Sequence, residues 1–554
     1  MVGTNQGPQV GASPPGRAGT AAQASPRWLW ALAPLPYLLL LAAAYSVFCV
    51  TTDDPFITYR YAVNILAGHG PVFNVGERVE GFSSPLHLLL CVLLLKIVPT
   101  ADILFKAKLL GLGLAALALW QTGRLARAAG LTDAEAILAQ LLVGLNTNFA
   151  LAGINGMETT LYTCLLLAAV LAFVRELRGR GGPLSALLLF PALLARPEAF
   201  GVFGLLLAVR LFWAVRQKRP ARGVLGWAAV FLLLAAGLTL ARLAYYGQLV
   251  PNTYYAKQVT LARGLSDGWV YLLHPLFPTA LNWLGLNSLA AVWAQKWPIL
   301  SALVFWLLAV VGAIRLRGEW AGGVLLAVVI AQAAFVLRFG GDWMPGWRFV
   351  APAVPLLAVL QCHALRRPAL APPALGAASA ALVLLLWAVC AVAVPHDPWS
   401  NVQYSTQSAD LLSADNTLGR KWVAVNRYIQ ARFLPGSVLA YSEMGYAGYT
   451  NPDITFIDVR GLTDPEIARL PASYKGPWGV DDEDWFRPGD PLYAILQRRR
   501  PTAIIAFSHG SEWPRIVLDR YYLSEPVSDP RDPYWRIMPA LIYRSLDDVL
   551  GRDR

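Results

Sequence analysis

Charge is scarce in this chain. Asp, Glu, Lys and Arg make up 14% of its 554 residues, where a soluble domain carries about 25%. Hydrophobic residues make up 56%, and the mean hydropathy is +0.47. Most of the chain is therefore solvated by lipid, not by water. Cysteine is also scarce. Cys49, Cys91, Cys164, Cys362 and Cys390 all lie in apolar segments, which excludes a disulfide from the polar C-terminal region and any cysteine metal spacing. No P-loop and no glycine-rich pyrophosphate motif occurs, so a nucleotide substrate is not expected. Internal repeats are absent too.

The net charge of +12 suggests nucleic acid at first sight. The excess Lys and Arg, however, sit in short loops between apolar runs, as cytoplasmic loops require. Runs long enough to span centre on 28–50, 104–122, 135–152, 157–174, 184–195, 198–213, 223–245, 297–314, 320–337, 348–364 and 373–394, about eleven spans on a length of roughly 17–25 residues each. Loops holding Arg124 and Arg127; Arg175, Arg178 and Arg180; Arg216, Lys218, Arg219 and Arg222; Arg315 and Arg317; and Arg366 and Arg367 are expected inside. Loops holding Asp53, Asp54, Glu77, Glu80, Glu158, Glu198 and Asp342 are expected outside. An odd number of spans with a cytoplasmic N-terminus leaves the C-terminus extracytoplasmic, which gives a multi-pass protein of the cell membrane.

Residues 1–27, rich in Gly, Pro, Ala, Ser and Gln, read as a disordered cytoplasmic tail. Residues 28–394 form the membrane part. Within its first outer loop, Pro85–Ile97 is too short to span and Phe56–Leu66 carries helical spacing, so both are expected as juxtamembrane helices. From about Pro395 acids accumulate and apolar runs shorten. Residues 395–554 are expected to form an extracytoplasmic α/β domain, with a helix over Trp422–Arg432 and strands over Ser437–Ser442, Thr455–Val459 and Thr502–Phe507.

Asp53 and Asp54 directly follow the first apolar run. A charge at membrane depth costs about 2.5–3.5 kcal/mol or more, and partial burial raises a carboxyl pKa toward that of a useful general base. An Asp before Pro55 is equally a helix-start signal, and the two readings are compatible. Other charged groups fall on the same side: Arg60, Glu77, Glu80, Glu158, Arg196, Glu198, Lys257, Asp342 and Arg348. Transfer of a sugar from a polyprenyl phosphate needs a base for the acceptor hydroxyl and positive charge on the departing phosphate. Arg60, Lys257 and Arg348 are the candidates for phosphate, and Glu77, Glu80, Glu158, Glu198, Asp342 and Trp343 those for substrate. Trp343, Trp347, Tyr254 and Tyr255 stand beside these motifs, where an acceptor path and an interfacial aromatic belt are both consistent readings. His69, His87 and His274 also fall outside, and no pair of them shows metal-ligand spacing.

The ordered blocks carry a resemblance. Asp53-Asp54, Tyr59-Arg60-Tyr-Ala-Val-Asn64, Gly68-His-Gly-Pro-Val-Phe-Asn-Val-Gly-Glu-Arg-Val-Glu80, Gly156-Met-Glu158, Arg196-Pro-Glu198, Tyr245-Tyr-Gly-Gln-Leu-Val-Pro251, Ala256-Lys257 and Gly340-Gly-Asp-Trp-Met344 resemble the GT-C superfamily of lipid-linked-sugar glycosyltransferases. Within it they resemble the terminal β-(1→2)-arabinofuranosyltransferases of mycobacterial cell-wall arabinan. The likeness spans about residues 45–355; beyond them Ile457-Asp-Val-Arg-Gly461-Leu-Thr-Asp464 is the best match. Asp458, Arg460 and Asp464 there suit sugar hydroxyls or a turn after a strand.

The resemblance implies a polytopic α-helical GT-C-like fold and an inverting transferase working at the outer face. It implies Asp53 as the base, Asp54 as a second acid, a polyprenyl-phosphate donor such as decaprenyl-phosphoryl arabinofuranose, and a cell-envelope glycan acceptor. Some members of the superfamily use a divalent metal such as Mg, Ca or Mn. Two other classes remain: a transporter or flippase for lipid-linked sugar, and a non-catalytic scaffold that binds envelope polymer. The first would place charges deep within its spans; the second needs no paired acids at the first helix end.

Overall fold

The computed structural model describes residues 29, 31–48, 51–97, 99, 102–179, 182–273, 305–316, 320–342, 344, 347–366, 420–476, 479–480, 491–507, 521–527 and 540–545. Five helices are long and apolar enough to cross a membrane: Ile103–Ala128, Thr159–Leu177, Ala199–Arg216, Ala221–Tyr246 and Trp320–Phe339. Asp133–Leu145 and Thr147–Ile154 together make a sixth span, bent by 64°. The bend falls at Asn146, which ends the first helix and accepts the N–H of Phe149 at 2.8 Å to start the second. Shorter apolar helices occupy Leu35–Ser46, Leu184–Ala195, Phe305–Arg315 and Ala351–Leu365. The chain is thus a multi-pass membrane protein. The run 373–394 and the tail 1–27 lie outside the described residues, and among the described residues five helices, or six with the bent pair, meet the spanning length.

The helices start and stop where the sequence supplies caps. Asp102 accepts the N–H of Leu104 at 2.7 Å and of Phe105 at 3.3 Å, opening Ile103–Ala128. Thr132 and Glu135 form a reciprocal capping box at Asp133–Leu145. Small residues allow the helices to approach. A Cβ on Gly111 would stand 2.0 Å from the Gly153 carbonyl oxygen, so no larger residue fits this crossing. The short helices expected in the first outer loop are present as Pro55–Leu66 and Pro85–Ile97.

The C-terminal residues form a five-stranded mixed sheet: β1 (Val438–Tyr441), β2 (Thr455–Asp458), β3 (Ala503–Phe507), β4 (Tyr521–Val527) and β5 (Ala540–Ser545), in the order β2-β1-β3-β5-β4. β1 runs parallel to both β2 and β3, whereas β5 runs antiparallel to β3 and β4. Alternation splits β1 between two cores. Ala440 packs with Ile457, Ile504, Leu492 and Leu496. Leu439 and Tyr441 pack with Trp422, Ile429, Phe456 and Ile505, in a core that continues into Phe56, Tyr59, Tyr61 and Phe73 of the segment after the first helix. That continuous apolar core seats the sheet on the residues that follow the first helix.

Candidate active site

The segment after the first helix and the sheet region lock together through polar contacts around that core. Met444–Thr450, a short helix after β1, points its first N–H groups at Asp53. The Gly445 N–H donates to one Asp53 oxygen at 2.6 Å and the Tyr446 N–H to the other at 2.7 Å. These are the groups a helix leaves unsatisfied at its start, and a carboxylate complements them. Gly445 is required there: a Cβ would lie 2.2 Å from the Asp53 carbonyl oxygen.

Arg60 is the second lock. Its Nε donates to the Phe73 carbonyl at 2.6 Å, and its terminal nitrogens donate to the carbonyls of Gly448, Asn451, Pro452 and Ile454. An arginine has five N–H donors, and carbonyl oxygens take all of them. The sequence placed Arg60 on the donor phosphate; the structure places it as a clamp on backbone. Asn74 adds a third lock, donating to the Phe456 carbonyl at 2.9 Å and accepting its N–H at 3.1 Å.

Asp54 faces the other way. Burial raises its carboxyl above the usual range, while the charges of Lys257 and Arg348 pull it down and that of Asp342 pushes it up. Lys257, in turn, is lowered by burial and feels Asp342, Arg348, Asp54 and Arg196. Arg348 approaches Asp342 to 2.6 Å, and both side chains are inaccessible to solvent. The approach is poorly aligned, so neither Asp342 oxygen accepts a directed hydrogen bond among the described residues. Beside this group, Arg196 binds Glu158 at 2.7 Å and Glu198 through its Nε at 2.7 Å, and lies 4.8 Å over the Phe349 ring. Arg348 covers the same ring at 5.1 Å and reaches the Met157 sulfur at 2.8 Å. Seven charged groups from five segments of the chain thus form one buried cluster: Asp54, Glu158, Arg196, Glu198, Lys257, Asp342 and Arg348.

Other expected substrate residues stand elsewhere. Glu80 is bound by Arg242 at 2.5 and 3.1 Å, which ties the first loop to the end of Ala221–Tyr246. Glu77 accepts from Asn74 at 3.0 Å. Trp343 lies outside the described residues. Asp458 accepts the N–H of Arg460 at 2.9 Å and of Thr463 at 2.7 Å, closing the turn after β2. For a divalent metal the donors do not fit: among the described residues no three His, Cys, Asp or Glu converge, and Asp54 and Asp342 both face fixed cations.

Comparisons with known proteins bear on this arrangement. Over 340 residues the chain is 32% identical to the terminal beta-(1->2)-arabinofuranosyltransferase of Mycobacterium tuberculosis, covering 55% of this chain and 51% of that protein. Over 336 residues it is 30% identical to the protein of the same name from Corynebacterium glutamicum, covering 55% and 47%. The chain is similar to terminal arabinofuranosyltransferases. That is the likeness the motifs carried, and the chain spans about half the length of the curated relatives it matches. Its fold is that of the Archaeoglobus fulgidus oligosaccharyltransferase crystallised in the apo form, with a TM-score of 0.52 at 12% identity over 87% of this chain and 70% of that one. Residues 407–538 match a family model described as a domain of unknown function, DUF8728.

Sequence reasoning placed no site residues in the Glu443–Asn451 segment. Its signal was a pair of glycines three residues apart, Gly445 and Gly448, which bring one helical face against Asp53, Arg60 and Phe73. Lys108 was also missed. It is buried in Ile103–Ala128 and donates to the Phe48 carbonyl at 2.6 Å and the Thr51 hydroxyl at 2.9 Å, fixing the segment that leads to Asp53-Asp54. A lysine inside an apolar run, two residues after Lys106, was its signal.

Proposed function

We propose that the chain is an inverting glycosyltransferase that moves a sugar from a polyprenyl-phosphate donor to an acceptor hydroxyl at the outer membrane face. The observation that carries this reading is the cluster of Asp54, Lys257, Asp342 and Arg348, two acids and two cations held together beside apolar helices. In the reaction the acceptor oxygen bonds to the anomeric carbon and its proton passes to the Asp54 carboxylate. The bond from that carbon to the phosphate oxygen breaks, and the electron pair leaves with the phosphate. Lys257 and Arg348 neutralise the growing negative charge. A raised carboxyl pKa makes Asp54 the stronger base, and Asp342 holds Arg348 in place beside it. Asp53, whose two oxygens are already occupied by amides, positions the loop.

The similarity to terminal arabinofuranosyltransferases favours arabinofuranose as the sugar and an envelope glycan as acceptor. The test is to incubate the purified full chain with a panel of polyprenyl-phosphate sugars and glycan acceptors and to measure released polyprenyl phosphate. Release that needs both one donor and an acceptor is expected. No release from any donor, with vesicle transport of the same lipids instead, overturns the proposal.

A further inference from the structure

The helix that starts at the charged cluster and a helix packed beside it also build a different site at their far ends. Thr159–Leu177 begins beside Glu158, and Ile103–Ala128 begins beside the core that holds Phe56. At 1.5 Å per residue these helices extend roughly 28 and 39 Å, about the thickness of a bilayer's hydrocarbon core or somewhat more. Their last turns pack together around a cavity of about 310 Å³ lined by Arg124, Arg127, Ala128, Arg175 and Arg178. The cavity therefore lies at the opposite membrane boundary from the cluster.

Part of its charge is compensated. Arg127 pairs with Asp133 at 2.7 Å. Arg124 and Arg175 pair with no carboxylate among the described residues. Glu176, next to Arg175 in sequence, turns inward to Ser185 and Arg210. Arg124 stacks 4.9 Å over Trp120, a half-exposed indole on the lipid-facing surface of the same helix. Arginine at a helix C-terminus complements the dipole, but that need is met by side chains spread around the end. Here four converge on one concavity that adjoins an interfacial tryptophan.

We propose that this cavity binds a phosphate group, and that the phosphate is the headgroup of an anionic membrane lipid. Guanidinium groups bind phosphate oxygens two at a time, and basic pockets between membrane helices recognise such headgroups. The stacked Trp120–Arg124 pair places apolar surface beside the charge, as a lipid requires and a free ion does not. The site is independent of the transferase reading.

The test compares the full chain with Arg124→Gln/Arg175→Gln, two changes at the cavity rim, after reconstitution in nanodiscs. Phosphatidylglycerol and phosphatidylcholine are the probes, read by native mass spectrometry as lipid retained per chain and as apparent Kd; equal elution and Tm of the two proteins establish equal folding. Selective phosphatidylglycerol retention by the parent chain is expected, weakened roughly thirtyfold by loss of two basic groups worth about fivefold each. Equal retention by the variant, or equal retention of phosphatidylcholine, overturns the proposal. Displacement of the lipid by inorganic phosphate at matched concentration assigns the cavity to a soluble anion and overturns the lipid assignment.

Discussion

The Asp53 carboxylate and the Gly445 backbone N–H meet at 2.6 Å, so an acid just after the first helix caps a helix that begins almost four hundred residues later. The contact sits where a Cβ on Gly445 would collide with Asp53. Replacing Gly445 by Ala should therefore unseat the Met444–Thr450 helix. Overpacking of this kind costs about 1–3 kcal/mol. A lower Tm and faster proteolysis between residues 434 and 452 are the expected readouts; a parent-like Tm and cleavage pattern would count against this close approach.

Asp53 and Asp54 separate cleanly by variant. Asp53→Asn turns an amide N–H₂ toward a backbone N–H and should lower Tm. Asp54→Asn removes the base and should lower turnover by about 10²–10⁴-fold while leaving Tm near that of the parent chain. Because burial raises the Asp54 pKa, turnover should rise with pH through that raised value. Full turnover by Asp54→Asn would remove this residue from the reaction.

Two carboxyls outside the spans should make stability depend on pH. Burial pushes both Asp53 and Asp458 up to about 7 from an ordinary 3.8. A carboxyl raised in the folded chain holds its proton more tightly there than when unfolded. The resulting stability is fully present below about pH 4 and is lost as pH rises through about 7. Tm should fall from pH 5 to pH 8, and Asp458→Asn should flatten part of that slope. A Tm that climbs over this range in the parent chain would contradict the sign.

Arg196 holds two buried carboxylates, Glu158 and Glu198. Arg196→Met leaves both without their cation, at a cost of about 3–5 kcal/mol, and the variant should lose most folded yield. Adding Glu158→Gln and Glu198→Gln should restore yield but not transfer. If Arg196→Met alone folds like the parent, the triad is not the buried pair of contacts described here.

Much was readable in the residues themselves. Apolar length marked the long helices, because lipid leaves backbone polar groups no partner but each other. Pro55–Leu66 and Pro85–Ile97 were legible from their spacing and their shortness, and the β1, β2 and β3 segments from short apolar runs. Asp54, Lys257, Asp342 and Arg348 stood out because charge at a membrane boundary is costly.

What the sequence could not order was which of these charges face one another. Asp53 and Asp54 are neighbours in the chain, yet a helix-start geometry sends one to Gly445 and the other toward Lys257 and Arg348. Arg60 looked equally fit for phosphate, and only the carbonyls of Phe73, Gly448, Asn451, Pro452 and Ile454, brought together by the sheet region, consumed its donors. Local residue type fixes what a side chain can do; which partner it meets depends on long-range packing, here the apolar core shared by β1 and the segment after the first helix.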